Sequence, residues 1–361
     1  MRVAFFGSSL VSAYWNGAAT YYRGIIREMA LRGHHVTFYE PNAWDRQKHR
    51  DLADPEWAQI LVYEPDQDSV LKAVSDARGA DLIIKTSGVG VFDQLLDAAV
   101  LDLKRGHNMV VFWDVDAPAT LDRITNHPDD PFRALIPQFD AIFTYGGGMP
   151  VVSAYDSFGA KACKPIYNAL DTTTHYPVAP ESRYQGDLAF LGNRLPDRET
   201  RVEEFFLLPA ASLPDYQFVL GGSGWGDKPK SANVRYLDHV YTAEHNAFNC
   251  SAKAILNVSR ESMARYGFSP ATRVFEAAGA AACVITDYWE GVGQFFEPGT
   301  EILVARNGSE VGEYVRSLTW ARAKQLGLAA YRRARAEHTY RHRAEQLAMF
   351  LGSSARELVH T

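Results

Sequence analysis

The 361-residue chain is predicted to be an α/β protein made of two consecutive Rossmann-like, doubly wound domains. Three observations carry that prediction. Short apolar runs alternate with amphipathic stretches through the first half. The pattern breaks over residues 168–185 (NALDTTTHYPVAPESRYQ), which are rich in Thr and Pro and lack apolar periodicity. A second alternating series then starts near residue 188.

In the first half, strands are expected at residues 3–6, 35–39, 82–85, 109–112, 141–144 and 163–166. These runs are apolar without strict alternation, as strands buried on both faces of a parallel sheet should be. Helices are expected between them at 18–31, 68–77, 91–104 and 151–158, with Gly33 stopping the first. In the second half, strands are expected at 188–191, 217–220, 254–257, 283–286 and 302–305. Its helices are expected at 198–207, 242–249, 273–280 and 311–317. Residues 321–358 read as helix, rich in Arg322, Lys324, Arg332, Arg333, Arg335, Arg341 and Arg343. Such a run is either a solvated face or a contact for an anionic partner or bilayer surface. The expected division is an N-terminal domain 1–178, a C-terminal domain 186–335, and a last segment 336–361, with 168–185 as linker.

Composition bounds the function. Hydrophobic residues make up 47% and charged residues 22%, enough apolar content for an ordinary core. A net charge of −6 gives no general attraction to nucleic acid. Cys163, Cys250 and Cys283 sit in apolar surroundings without CxxC spacing and read as buried reduced thiols. The start, MRVAFFGSSL, lacks the apolar core and cleavage site of a signal peptide. No run of 18 apolar residues occurs, so a cytoplasmic chain is expected.

The most informative stretch is 273–304, RVFEAAGAAACVITDYWEGVGQFFEPGTEILV. A helix carrying Arg273 and Glu276 precedes a strand whose end opens into a loop with Asp287, Gly291 and Gly293. Ligands of open α/β sheets sit at the carboxyl ends of strands, where helix N-termini favour anions. A nucleoside diphosphate suits that geometry.

With LGNRLPDRETR (191–201), VLGGSGWG (219–226), AKAILNVSR (252–260) and GFSPATRVFEAAGA (267–280), this stretch resembles the nucleotide-sugar-binding half of a GT-B glycosyltransferase. The likeness is greatest to the CgeB-like, spore-maturation type within the group-1/group-4 superfamily. It covers about residues 187–310, and NGAATYYRGIIREMALRGHHVTFYE (16–40) fits the usual opening more loosely. The resemblance implies an active site in a cleft between two domains and a final helix crossing back to the first. It also implies a metal-independent sugar transfer from a nucleotide-diphosphate donor of UDP, GDP or TDP type, with no further cofactor. The acceptor is left open among glycan, lipid-linked, protein, nucleobase and small-molecule classes. Two rivals remain, a GT-B sugar-nucleotide epimerase and a degenerate nucleotide-binding subunit.

The resemblance gives Glu276 to the ribose, and two acceptor oxygens facing a vicinal diol make the chemistry plain. Arg273, one turn earlier, suits phosphate or a neighbouring acid. Many retaining relatives carry a glutamate eight residues before the ribose-binding one; here that position is Phe268. A retaining outcome is therefore not implied, and donor-sugar contacts fall to residues 266–269, including Tyr266 and Ser269. Asn257, Ser259 and Arg260 lie at a strand end, where Arg260 would neutralise a departing diphosphate or form a structural ion pair. Gly222 and Ser223 belong to a Gly-rich turn whose backbone can approach phosphate or base. It lacks GK[ST], and GxGxxG is not met. Gly192, Asn193 and Arg198 would line the donor loop, or Arg198 simply starts a helix.

In the first half, Asn16 and Gly17 follow the loop 7–9 before a helix; Asn16 serves either ligand or helix cap. Asp114 and Asp116 in VVFWDVDAPATL invite a metal reading, which the second Rossmann series disfavours. One of them is the candidate general base, with Asp116 ahead of Asp114 because Pro118 fixes the following loop. His239 and His245 lie near the proposed donor site, whereas His34 and His35 read as packing or surface residues. The Cys and His spacings fit no zinc pattern, and no G-x-S-x-G elbow occurs.

Overall fold

The computed structural model describes residues 1–14 and 16–359, with side chains to residue 352. Contacts divide the chain into two compact units, Met1–Tyr167 together with the chain from Tyr340 onward, and Asn168–Thr339.

The first unit contains β1 (Arg2–Phe6), α1 (Ala19–Leu31), β2 (His35–Pro41), β3 (Gln59–Tyr63), α2 (Gln67–Asp76), β4 (Leu82–Thr86) and α3 (Asp93–Ala99). It continues through β5 (Met109–Asp114), α4 (Ala117–Asn126), α5 (Phe132–Leu135), β6 (Ala141–Thr144), α6 (Gly148–Ser157) and β7 (Cys163–Pro165). All seven strands are parallel in the order β3-β2-β1-β4-β5-β6-β7. The order reverses direction between β1 and β4, which makes their carboxyl ends the switch point of a doubly wound sheet. Phe5 sits in register with Phe38 and Ile84. Its ring stacks on Phe38 at 5.3 Å and tilts against Trp113 at 5.9 Å. Each such aromatic pair adds about 0.5–1.5 kcal/mol beyond the area it buries.

The second unit contains β8 (Gly186–Leu191), α7 (Pro196–Val202), α8 (Leu208–Ser212), β9 (Phe218–Gly221), β10 (Val234–Tyr236), α9 (His245–Ser251) and β11 (Ala252–Asn257). It ends with α10 (Glu261–Tyr266), α11 (Thr272–Gly279), β12 (Val284–Asp287), β13 (Leu303–Ala305), α12 (Gly308–Ser317) and α13 (Trp320–Glu337). Its six parallel strands run β10-β9-β8-β11-β12-β13, so β8 and β11 flank this unit's switch point. Phe190, Phe206, Phe218, Leu256 and Ile285 belong to its apolar core.

The last helix, α14 (Tyr340–Val359), belongs to the first unit. It lies on α1, where a Cβ at Gly24 would stand 2.1 Å from the Tyr340 ring. Arg32, which caps the C-terminus of α1, donates to the Arg341 carbonyl at 3.1 Å and reaches Glu345 at 3.3 Å.

Several elements depart from expectation. The edge strands β3 and β10 were not expected; both carry few buried positions, although β3 (QILVY) is an apolar run while β10 (VRY) is too short to show one. The helix expected at 91–104 is shorter, because α3 ends at Ala99 and a single tight turn follows over Leu101–Leu103. The run expected as one helix over 321–358 is broken at His338 and Thr339. The His338 ring lies 5.7, 5.6 and 5.9 Å from those of Phe275, Phe295 and Phe296, its carbonyl accepts from Leu170 N, and Thr339 pairs with Leu170. Residues 168–185, read as a linker, bond into the second unit. Asn168 donates to the Pro270 carbonyl, Tyr176 N to Asn246, and Glu181 N to Ser251.

Candidate functional site

The β8 and β9 loops close on one another at the carboxyl edge of the second sheet. Gly192 N donates to the Gly221 carbonyl, Ser223 N to Asn193 Oδ1, Arg194 N to the Ser223 carbonyl, and Trp225 Nε1 to the Gly192 carbonyl. Gly222 N is taken by the Asp238 carbonyl at 2.6 Å. Gly222 sits at φ +119°, and a Cβ there would be 2.3 Å from the Gly192 carbonyl oxygen, so only glycine fits. The Gly-rich turn, expected to bring its backbone close to phosphate or base, has these amides bonded within the protein. The amides of Gly192 and Ser223 are spent on holding the two loops together, and that of Gly222 on the segment after β10.

Arg273 of α11 spans the switch point. Its Nε donates to the Leu191 carbonyl at the end of β8, and its Nη1 to Asn257 Oδ1 at the end of β11. The guanidinium lies over Phe190 at 5.2 Å. The Arg273 and Arg198 guanidiniums both crowd the open face of Gly192, 2.9 and 3.1 Å from a Cβ built there. Burial, and then the charge of Arg198, push the Arg273 guanidinium below its ordinary range, with Glu276 opposing. An arginine so placed stays cationic. The local excess of positive charge suits an anion.

Glu276 follows Arg273 by one helical turn, with 14% of its side chain exposed. Its Oε1 lies 3.8 Å from His175 Nε2, and His175, His245 and Glu276 present ligand atoms within 4.8 Å of one another. Burial pushes the His245 imidazole below its usual value, although Glu276 opposes the shift. His175 was missed in the sequence, since a histidine in a Thr- and Pro-rich segment carries no periodic signal. His239 stacks edge-on against Tyr241 at 4.6 Å and is not one of the three.

Other expected residues have different roles. Asn257 is fully buried, donating to Thr286 Oγ1 and accepting from Arg273. Asp287, expected in an open loop, is fully buried, accepting from Arg201 at 2.7 Å and from the Ser259 amide and hydroxyl at 3.0 and 3.1 Å. Burial pushes its carboxyl up, while Arg201 and Ser259 oppose the shift. Arg260 donates through Nε to Asp197 at 2.6 Å, the ion-pair alternative. Phe268 adopts φ +46°, donates its amide to the Glu290 carbonyl, and packs its ring where a Gly291 side chain would be. Ser269 Oγ donates to the Gly267 carbonyl, and Tyr266 ends α10, its ring against Arg265.

In the first unit, Asp114 is fully buried. It accepts from Tyr155 Oη at 2.5 Å, Thr120 Oγ1 at 3.1 Å and Asp116 N at 3.0 Å. Burial raises its pKa, and its position corrects the candidate base at Asp114, whose oxygens tie β5 to α4 and α6. Asp116 is half-buried at the start of α4 and makes no side-chain cap bond there. Asn16 turns its side chain back onto its own loop, donating to the Ser9 and Ser12 carbonyls and accepting from Ser8 Oγ. The cap position of α1 is Ala18, and Gly17 is exposed. All three cysteines are free; burial pushes the Cys163 and Cys283 thiols up to about 12, while Cys250 is only partly buried.

The basic run is largely engaged. Arg322 donates to the Gly299 carbonyl, Arg333 pairs with Glu337, Arg341 with Glu345, and Arg343 is buried against the Tyr167 carbonyl. Among the described residues, no helix is long and apolar enough to cross a membrane.

Residues 198–349 match a family model described as Glycosyl transferase-like. A comparison with curated proteins finds no match. Among solved structures, the chain is similar to a sucrose-phosphate synthase from Thermosynechococcus elongatus, at TM-score 0.71 and 12% identity, covering 98% of each chain. It is also similar to HepE of Anabaena in complex with UDP-glucose, at TM-score 0.66 and 14% identity, covering 98% of this chain and 100% of that one. A third is an α-glucosyltransferase in complex with UDP-glucose and DNA containing an abasic site, at TM-score 0.69 and 13% identity, covering 98% and 99%. Two Rossmann-like parallel-sheet units with these neighbours make the fold GT-B.

Proposed function

We propose that the chain is a glycosyltransferase that moves a sugar from a nucleotide-diphosphate donor to a nucleophilic acceptor without a catalytic metal. One observation carries this reading: Arg273 and Glu276, on successive turns of α11, put a cation and a carboxylate beside the carboxyl ends of β8 and β11. The Glu276 carboxylate would accept from the two ribose hydroxyls. Arg273 and Arg198 would hold the diphosphate and stabilise the charge it gains as the glycosidic bond breaks. Arg260, occupied by Asp197, supports the loop rather than the leaving group. Asp116 would take the proton of the acceptor. A UDP-type donor is the first choice, because solved neighbours were captured with UDP-glucose. The CgeB-like type within the superfamily is the subgroup proposed.

Calorimetric titration with UDP, GDP, TDP and CDP, followed by Glu276→Ala, tests the reading. The parent should bind one of these nucleotides, and the variant should bind it at least about tenfold more weakly, the loss of roughly one charge-assisted hydrogen bond. Equal affinity in parent and variant refutes it.

A further inference from the structure

The second unit holds one buried and one half-buried imidazole and a carboxylate that the donor reading uses only in part. His175 is 3% exposed and comes from the segment before β8. Its Nδ1 lies 2.9 Å from Thr174 Oγ1, while its Nε2 is buried with no hydrogen-bond partner. His245, at the start of α9, has its ring bonded to the Val240 backbone, and its Nδ1 is likewise buried without a partner. One ring nitrogen of each histidine and a Glu276 carboxylate oxygen lie within 4.8 Å of one another, with His175 Nε2 at 3.8 Å from Glu276 Oε1.

That is an unfavourable arrangement unless something occupies it. A buried imidazole nitrogen without a partner forfeits about 1–3 kcal/mol of desolvation. Two imidazoles beside one carboxylate, each with an unpartnered nitrogen and a hydrogen bond to the rest of its ring, form the pattern of metal-binding histidines.

We propose that His175 Nε2, His245 Nδ1 and the Glu276 carboxylate form a binding site for a divalent transition metal of the Zn2+ class, with a fourth position open to water. Tetrahedral ligands about 2.0–2.1 Å from zinc stand about 3.3 Å apart. The His175–Glu276 separation of 3.8 Å needs only a small side-chain rotation to close. Imidazole nitrogens select zinc, cobalt or nickel over magnesium and calcium, which prefer all-oxygen shells. A consequence rests on the proposed donor reading: one carboxylate cannot serve ribose and metal together, so zinc and nucleotide compete.

The test uses the full chain, stripped with chelator and titrated with ZnCl2 by calorimetry, then with CoCl2 by visible absorption. One equivalent should bind, and cobalt should give the intense d–d bands of four- or five-coordinate geometry. His175→Gln and His245→Gln should each weaken binding at least tenfold, while His239→Gln leaves it unchanged. Far-UV circular dichroism checks folding, and Glu276→Gln, which exchanges a charged ligand for a weak neutral one, offers a third variant should either histidine variant unfold. Weak octahedral cobalt spectra, or equal binding by parent and all folded variants, overturn the site. UDP titrated into zinc-loaded and zinc-free protein separates the two ideas. Zinc binding without binding of UDP, GDP, TDP or CDP removes the donor reading and leaves the metal site standing. Independent binding of both overturns the shared use of Glu276.

Discussion

Replacing Arg273 tests the architecture of the second unit and its chemistry at once. In Arg273→Met the apolar stem is kept while the guanidinium is lost. The Leu191 carbonyl and Asn257 Oδ1 then lose their donors at 2.5 and 2.9 Å. Asn257 is fully buried, so its oxygen cannot turn to water. Each abandoned acceptor costs about 1–3 kcal/mol, and the cation over Phe190 about 0.5–1 kcal/mol more. Part is recovered, since a buried charge no longer has to be desolvated. The net expectation is a loss of about 2–3 kcal/mol, which for a unit of this size lowers the melting temperature by roughly 4–12 °C. Scanning calorimetry of the full chain measures it. Arg273→Lys keeps the charge, but a single ammonium cannot reach both strand ends as a fork does, so about half the loss should remain. Nucleotide affinity should fall roughly 10- to 100-fold in the Met variant and less in the Lys variant. A Met variant melting within about 1 °C of the parent, the scatter of ordinary surface changes, would refute the bridging role.

Asp116→Asn should cut transfer at least about 100-fold while leaving nucleotide affinity unchanged, measured by product formation and titration on the same preparation. Gly24→Ala would favour α1 by about 1 kcal/mol on propensity, yet its methyl would meet the Tyr340 ring at 2.1 Å. A net destabilisation of about 1–3 kcal/mol is therefore expected, and in a Tyr340→Ala background the same change should become neutral or stabilising. Hydrogen bonds from Arg194 and Lys228 hold the Glu199 carboxyl down at about 2. A depressed carboxyl contributes stability that is present above its unfolded value and lost as pH falls through the folded one. NMR titration should place its midpoint near 2, and Glu199→Gln should flatten the acid limb of the stability profile between pH 4.5 and that midpoint.

Much of the fold was readable because parallel strands such as β1, β4 and β11 are continuous apolar runs, and their covering helices repeat every three to four residues. The edge strands β3 and β10 escaped: β10 is only three residues long, and the apolar run of β3 stands alone between polar, Pro-containing segments. At the site, Glu276 and Arg273 could be found together because a helix makes residues one turn apart neighbours. Asp114 and Asp116 show the opposite: two residues apart, they read alike in sequence, yet Tyr155 and Thr120 draw one into the core and leave the other half-buried at the start of α4.

The amino-acid order alone determined the two alternating α/β series, their apolar interiors and the helix that pairs a cation with a carboxylate. Each of these depends on residues within a few positions of one another. Tertiary structure decided which loops spend their amides on each other, where the long C-terminal helical run breaks at His338, and that His175 meets Glu276. Those outcomes depend on which distant segments share an edge of the sheet, and a buried polar group takes whatever partner the topology brings within bonding distance.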